Sequence, residues 1–351
     1  MIYVNGRFLT QNITGVQRFA EEISLELIKI RSDVIFLVPD LNAVKKKELL
    51  NVIKIEEVCG LSGHLWEQIT LPLYLYKNKR PLLINLCNTA PVSYPNQIVT
   101  HHDITYLKFP KSFPFSFRLL YRLIAPLILK NSKHIITVSD FSKKEIVTNY
   151  RCPLDKISVI PNAYSDIFKP YITKTDLQKK ENYLLAVSST NFHKNFHGLI
   201  DAFLSADIDM DLKIIGGSAD VFKKLELDQS HPRIHFMGRV DDDQLVALYQ
   251  NANAFVFPSF YEGFGIPPLE AQACGCPVIS SNSASMPEVL GDSVLYFNPQ
   301  SKSEIVKALE LIADNHELRN KLVTYGFKNI KRFSWVKSAN KLNNIIQNFN
   351  G

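Results

Sequence analysis

Ala254-Phe-Val-Phe-Pro-Ser-Phe-Tyr-Glu-Gly-Phe-Gly-Ile-Pro-Pro-Leu-Glu-Ala-Gln-Ala-Cys274 joins three structural signals in one stretch. Ala254–Val256 opens a short apolar run that Pro258 ends, as expected of a buried strand running into a turn. Pro267–Cys274 reads as a short helix with proline at its start and Gly275 as its stop. Between them, Glu262-Gly-Phe-Gly265 offers a backbone that approaches a ligand closely, because glycine has no side chain in the way. A helix N-terminus following such a loop suits phosphate. Glu262 precedes the helix and Glu270 is expected in its first turn, so the two carboxylates can reach different parts of one ligand. Carboxylates accept hydrogen bonds from paired hydroxyls of the kind that sugars and ribose present. The competing reading for Glu270 is that it only satisfies the helix N-terminus.

Strand, loop and helix recur along the whole chain. Strand-like runs are Ile2–Val4, Val34–Val38, Leu82–Leu86, Ile98–Thr100 and His134–Val138, then Tyr183–Val187, Leu212–Ile215, Arg233–Phe236, Ala254–Val256, Pro277–Ser280 and Val294–Phe297. Helical periodicity lies between them, over Gln17–Ile30, Ser116–Lys130, Phe141–Asn149, Asn195–Ser205, Asp242–Asn251 and Ser303–Asn315. This alternation predicts an α/β fold with parallel sheets covered by helices. It runs twice, so two Rossmann-like domains are expected. The first strand series ends at Val159-Ile-Pro-Asn162, and Asp166–Lys180 is polar and patternless, as a linker would be. In such folds ligands sit in the cleft, beyond the carboxyl ends of the strands.

With 351 residues, 46% of them hydrophobic and 21% charged, the chain has the composition of a globular protein of two domains. Five scattered cysteines suggest a reducing compartment, and Cys274 and Cys276 lack the companions of a zinc site. The N-terminus lacks the pattern of a signal peptide, and no apolar run is long enough to span a bilayer. Cytoplasmic location is therefore expected. Charge is uneven: residues 1–170 hold 22 Lys and Arg against 14 Asp and Glu, and the remainder 18 against 20. A basic first half fits an anionic partner or simply scattered solubilising lysines. Lys108–Lys130 mixes aromatics with basic residues; it fits a helix lying on an anionic membrane surface and an ordinary packed helix equally well. Nucleic acid is not expected as a partner, since the net charge of +6 is modest.

Other loops after strands carry candidate chemistry. Leu185-Ala-Val-Ser-Ser-Thr-Asn-Phe-His-Lys-Asn195 places Lys194 before a helix, where it would help bind a diphosphate. His193 and His197 are expected at the surface. Gln97-Ile-Val-Thr-His-His-Asp103 ends a strand in an imidazole beside a carboxylate, so that Asp103 would orient His102 toward a sugar hydroxyl or phosphate oxygen. Thr14-Gly-Val-Gln-Arg-Phe19 offers Gly15 for a turn and Arg18 as a forked cation. No Gly-x-Ser-x-Gly nucleophile motif is present.

These pieces, in this order, resemble the retaining glycosyltransferases of family 4, whose fold is GT-B: two Rossmann-like domains with parallel sheets facing across a cleft. The resemblance covers nearly the whole chain. Phe257–Val278 carries the signature Glu, seven residues, Glu; Thr137–Ile146, Thr14–Arg18 and Met286-Pro-Glu-Val289 also look like family segments. Within the family the chain looks most like the bacterial mannosyl- and rhamnosyltransferases that build O-antigen and other surface polysaccharides.

The resemblance implies residue roles. Glu262, with Gly263 and the backbone of Phe264 and Gly265, would hold the donor sugar, and Glu270 the ribose hydroxyls. Ile266 would lie beside the diphosphate, which Lys194 neutralises. Gly15 would let the first loop close on the donor phosphates, and His102 would contact the sugar near the anomeric carbon. The loop holding Gly238 and Arg239 would touch the base. Many relatives have an arginine where this chain has Ser189, and Arg18 is the cation expected to compensate. The C-terminal helix, 333–351, would pack back on the first domain, 1–165, leaving 166–332 as the nucleotide-sugar domain. The implied partners are a nucleotide-diphosphate sugar and a lipid-linked or glycan acceptor, with neither cofactor nor metal. A sugar-nucleotide epimerase of the same fold, and a non-catalytic partner that only binds the nucleotide, are the rival readings.

Overall fold

The computed structural model describes residues 1–170, 181–189, 191–216 and 231–349. The chain forms two compact units. Met1–Lys108, Pro114–Asn162 and Ser334–Gly351 make the first; Phe109–Phe113 and Ala163–Phe333 make the second.

Among the described residues the first unit carries a seven-stranded parallel sheet: β1 (Ile2–Asn5), β2 (Val34–Val38), β3 (Ile55–Glu57), β4 (Leu82–Asn85), β5 (Gln97–Thr100), β6 (His134–Thr137) and β7 (Ile157–Val159), in the order β3-β2-β1-β4-β5-β6-β7. Ile2 is in register with Val34 on one side and Leu82 on the other. The central strands are buried along their length because helices cover both faces, which is why they read as apolar runs and not as alternating ones. The C-terminal helix Trp335–Phe349 packs on the helix Gly15–Ile30: Phe19 and Trp335 rings meet edge to face at 5.9 Å, and Arg31 donates to Asn343 Oδ1 at 3.0 Å. Ser338 Oγ donates to Pro161 O at 2.7 Å, tying this helix to the end of the sheet.

Among the described residues the second unit carries six parallel strands: β8 (Tyr183–Val187), β9 (Asp211–Ile215), β10 (Ile234–Gly238), β11 (Ala254–Phe257), β12 (Val278–Ser281) and β13 (Leu295–Phe297), in the order β10-β9-β8-β11-β12-β13. Leu184, Leu212, Val256 and Ile279 are fully buried, with Leu199 and Phe203 of the helix Phe196–Ser205 and Leu309 and Ile312 of the helix Lys302–Asp314 in the same core. Each such side chain contributes roughly 1.5–3 kcal/mol by leaving water.

Three departures from the sequence reading have physical causes. The strand β3 was not expected, because an edge strand of one isoleucine and two glutamates has no apolar run to read. The helical segment Gly63–Lys77, with a π turn at Trp66–Thr70, was also not expected. Leu65, Ile69 and Leu73 stay exposed there while Trp66, Leu71 and Leu75 are buried, so apolar residues surround the helix and blur its period. The expected linker Asp166–Lys180 lies outside the described residues from Tyr171 on, but its beginning is part of the second unit. Phe168 is buried against Tyr249, and Gln250 donates to Lys169 O at 2.7 Å. All five cysteines are free. Among the described residues no helix is long and apolar enough to cross a membrane.

Candidate functional site

In each unit the strand order reverses direction at one point, which in open α/β sheets is where ligands bind, beyond the carboxyl ends of the strands. In the second unit this point lies between β8 and β11. Lys194 follows β8 and Glu262 follows β11, and they meet: Lys194 Nζ lies 2.7 Å from Glu262 Oε1. The side chains are 16% and 13% exposed, so the pair is largely shielded without being sealed off.

Asn195 fixes this geometry. Phe192–Lys194 forms one tight helical turn, and Asn195 then takes a left-handed conformation, φ 56°, that starts the helix Phe196–Ser205 in a new direction. Its buried Nδ2 donates to Pro258 O at 3.2 Å and to Pro299 O at 3.0 Å. Phe260 N donates to His193 O at 2.8 Å. The loop after β8 is thereby fastened to the loop after β11, and the lysine beside Asn195 is aimed. His193 is not at the surface: it is buried, with Nδ1 2.9 Å from Ser112 Oγ and its ring stacked on Phe113. The expectation of a surface histidine is corrected, since the crossing segment Phe109–Phe113 covers it. His197 is partly buried and stacks on Phe192.

The turn Glu262–Gly265 is held from beneath by Ser285, whose Oγ lies 2.9 Å from Glu262 O and 3.2 Å from Phe264 O. Gly265 sits at φ +90°, and a Cβ there would come within 2.6 Å of Met286 Cε, so any other residue is strained there. The helix Ile266–Ala273 follows. Its second and third positions are Pro267 and Pro268, which lack N–H groups, so the N–H donors at this helix start come from Gly265 and Ile266. The donor array expected from the sequence is shorter than an ordinary helix N-terminus.

Glu270 lies in the second turn, not the first, and is buried. Tyr249 donates to its Oε2 at 3.3 Å. Glu270 thus has at least one partner away from the helix start. Burial, with Glu270 adding to it, holds the Tyr249 hydroxyl proton well above the ordinary tyrosine range, so it stays a donor. Ser189 is exposed just past β8; Gly238, at φ +68°, ends β10 and accepts from Gly216 N at 2.8 Å; Arg239 is exposed. No hydrogen bond among the described residues links these three to Lys194 or Glu262.

In the first unit His102 follows β5 and is buried under Phe19, ring centroids 4.9 Å apart. Its Nε2 lies 3.1 Å from Leu86 O, and its main-chain N donates to Asn88 Oδ1 at 2.8 Å. Asp103 does not orient the ring; its Oδ1 accepts from Thr105 N at 2.8 Å and Thr105 Oγ1 at 2.6 Å, starting the helical turn Thr105–Lys108. That expectation is corrected: a carboxylate next to a helix start is claimed by the backbone donors there. Burial lowers the His102 pKa, so the ring is neutral at pH 7. Burial also lowers neighbouring His101, to about 4. Gly15 is the exposed first residue of its helix, and Arg18 N donates to Thr14 O at 2.8 Å.

The switch point of the first unit, between β1 and β4, holds a second cation–carboxylate pair that the sequence reading missed. Arg7 lies 3.5 Å from Glu67, which is buried. Asn195, Ser285, Tyr249 and Glu67 share one reason for being missed. Each acts through a partner distant in the chain, and no local pattern marks it. Among the described residues no group of three His, Cys, Asp or Glu side chains could hold a metal ion.

The profile of glycosyl transferases group 1 matches residues 168–329, and that of glycosyltransferase family 4 matches residues 13–166. The chain is 34% identical over 277 residues to the O-antigen chain mannosyltransferase RfbU of Salmonella typhimurium, covering 76% of each. It is 33% identical over 253 residues to the O-antigen chain mannosyltransferase B of Escherichia coli, covering 68% of this chain and 66% of that one. The solved structure of Anabaena HepE in complex with UDP and glucose superposes with a TM-score of 0.75 at 17% identity, over 99% of both chains, a likeness of fold. The fold is GT-B, and the chain belongs to glycosyltransferase family 4.

Proposed function

We propose that this protein transfers a hexose, mannose or rhamnose, from a nucleotide-diphosphate sugar to a lipid-linked or glycan acceptor in the synthesis of O-antigen or a related surface polysaccharide, with retention of anomeric configuration. The O-antigen mannosyltransferase relatives support the substrate class. The observation that carries the mechanism is the Lys194–Glu262 pair at the β8/β11 switch point.

An ammonium has three donor hydrogens. Lys194 can keep Glu262 and still donate to a diphosphate oxygen, so donor binding need not break the pair. Glu262 Oε2 then accepts from a sugar hydroxyl, and the N–H groups of Gly265 and Ile266 reach the phosphates. Glu270, steadied by Tyr249, takes the ribose hydroxyls. In the reaction the bond from C1 to the leaving phosphate oxygen breaks as the acceptor oxygen bonds C1 on the same face. The acceptor proton passes to the leaving phosphate, so no protein nucleophile and no metal is needed. Charge building on that phosphate is met by Lys194, which is electrostatic stabilisation of the transition state. Neutral His102, its Nε2–H given to Leu86 O, accepts a hydrogen bond from a sugar hydroxyl at Nδ1 without placing a positive charge beside the oxocarbenium centre. Arg18 and Gly15 serve the donor phosphates, Arg18 standing in for the cation absent at Ser189. Gly238 and Arg239 meet the base.

The acceptor side is proposed to rest on the anionic inner face of the cytoplasmic membrane. On the helix Phe115–Asn131, Phe115, Leu119, Leu123 and Leu127 form an exposed ridge at four-residue spacing, Phe115 being 70% exposed, with Arg122 and Lys130 exposed beside it. An apolar ridge flanked by cations is the pattern of an interfacial helix.

The test is incubation with GDP-mannose, UDP-glucose and dTDP-rhamnose, with and without a panel of octyl glycosides, read by proton NMR. Transfer that needs an acceptor and retains the donor anomer is expected. Conversion of donor alone would favour an epimerase, and an inverted product would refute the mechanism.

A further inference from the structure

The first unit has its own polar crevice at the β1/β4 switch point. Asn5 ends β1, Arg7 and Gln11 follow it, and Leu86 and Cys87 follow β4; with Glu67 they line a small cavity whose free space is on the scale of one water molecule. Glu67 is 1% exposed. Its Oε1 is fully engaged, accepting from Asn5 Nδ2 at 2.8 Å and Thr89 Oγ1 at 3.1 Å. Its Oε2 is buried and accepts no hydrogen bond among the described residues. Arg7 NH2 and His64 Nδ1 each stand 3.5 Å away, and Arg7 NH2 is committed to Thr89 Oγ1 at 3.0 Å.

We propose that this crevice is an acceptor subsite in which Glu67 Oε2 accepts a hydrogen bond from one hydroxyl of the acceptor sugar. A buried carboxylate oxygen without a donor costs about 1–3 kcal/mol, which an arriving hydroxyl recovers. Arg7 balances the charge, so the site takes a neutral donor and not an anion. Size agrees, because a hydroxyl occupies the space of a water. Position agrees as well. Leu86, which lines the cavity, also holds His102 through its carbonyl, so a sugar gripped at Glu67 is gripped beside His102. Cys87 is not a rival chemical group here, since burial pushes its thiol up to about 12 and keeps it protonated. The proposal rests on the transferase reading for the identity of the sugar as acceptor.

Saturation-transfer NMR with methyl α-mannoside, methyl β-galactoside and methyl β-N-acetylglucosaminide tests it, using wild type, Glu67→Gln and Cys87→Leu. The second variant adds bulk at another lining residue, one that makes none of the Glu67 hydrogen bonds. At least one methyl hexoside is expected to bind wild type, and each folded variant to bind it at least tenfold more weakly with nucleotide-sugar affinity unchanged. Should Glu67→Gln not fold, Cys87→Leu decides. A wild-type crystal soaked in the methyl hexoside gives an independent readout: a sugar oxygen about 3 Å from Glu67 Oε2 is expected. Failure of every methyl hexoside to bind, equal binding in the variants, or only water at Glu67 would overturn the proposal. Loss of nucleotide-sugar binding by wild type, with hexoside binding intact, would instead sink the transferase reading and leave the sugar site standing.

Discussion

Lys194 Nζ and Glu262 Oε1, from loops 68 residues apart, are held 2.7 Å from each other by the hydrogen bonds of Asn195 and Ser285 beneath them. The two residues therefore act as a unit. Lys194→Ala and Glu262→Ala are each expected to lower kcat by about 10²–10³, the scale of losing one preorganised electrostatic contact. The double variant is expected to lose far less than the product of the two, because either change alone already breaks the pair. Steady-state kinetics of the three variants checks this, and fully multiplicative losses would show independent roles.

Asn195 touches no reacting atom in the proposed mechanism. Asn195→Ala removes two buried hydrogen bonds and a residue suited to the left-handed conformation, so a loss of about 2–3 kcal/mol in stability is expected. Asn195→Gly, which keeps the backbone conformation but not the bonds, should recover part of the stability and little of the kcat. Denaturant unfolding alongside kinetics separates the two contributions.

Glu270 and Tyr249 are expected to govern donor affinity more than turnover. Glu270→Gln should raise the donor Kd about tenfold or more, since it removes a charge-assisted contact worth roughly 1.5–3 kcal/mol. Tyr249→Phe should have a smaller effect, its hydrogen bond being long at 3.3 Å. Titration calorimetry with the nucleotide sugar measures both, and a Tyr249→Phe effect equal to that of Glu270→Gln would contradict the assignment.

Stability should depend on pH through His101. Its folded pKa, about 4, lies below the unfolded value near 6.5, because burial disfavours the charged ring. The unfolded chain therefore gains a proton first as pH falls. The contribution is complete above pH ~6.5, is lost progressively down to pH ~4, and then stops changing. At about 1.4 kcal/mol per unit the loss is at most roughly 3 kcal/mol. His101→Phe should flatten this part of the curve; an unchanged slope in denaturant unfolding from pH 7 to 4 would refute it.

Strands were legible wherever both faces are buried, since Tyr183–Val187 and Ala254–Phe257 are continuous apolar runs. The Gly63–Lys77 segment was not, because its exposed Leu65, Ile69 and Leu73 hide the period that burial would impose. The site divides in the same way. Glycine at position 265 and the two signature glutamates stand out locally. The pairing of Lys194 with Glu262, the burial of His193 and the diversion of Asp103 to Thr105 depend on what the fold brings alongside. The double proline was readable as a helix start, but its consequence, two missing N–H donors where phosphate was expected, follows only once the helix is seen to begin at Ile266.

Donor binding at the Lys194–Glu262 pair is the step on which the proposed transfer depends. Calorimetric titration of GDP-mannose, UDP-glucose and dTDP-rhamnose into wild type and Lys194→Ala tests it most directly. One of the three is expected to bind wild type and to bind Lys194→Ala at least tenfold more weakly, with both proteins melting at similar temperatures. Equal affinity in the two proteins, or binding of none of the three, would contradict it.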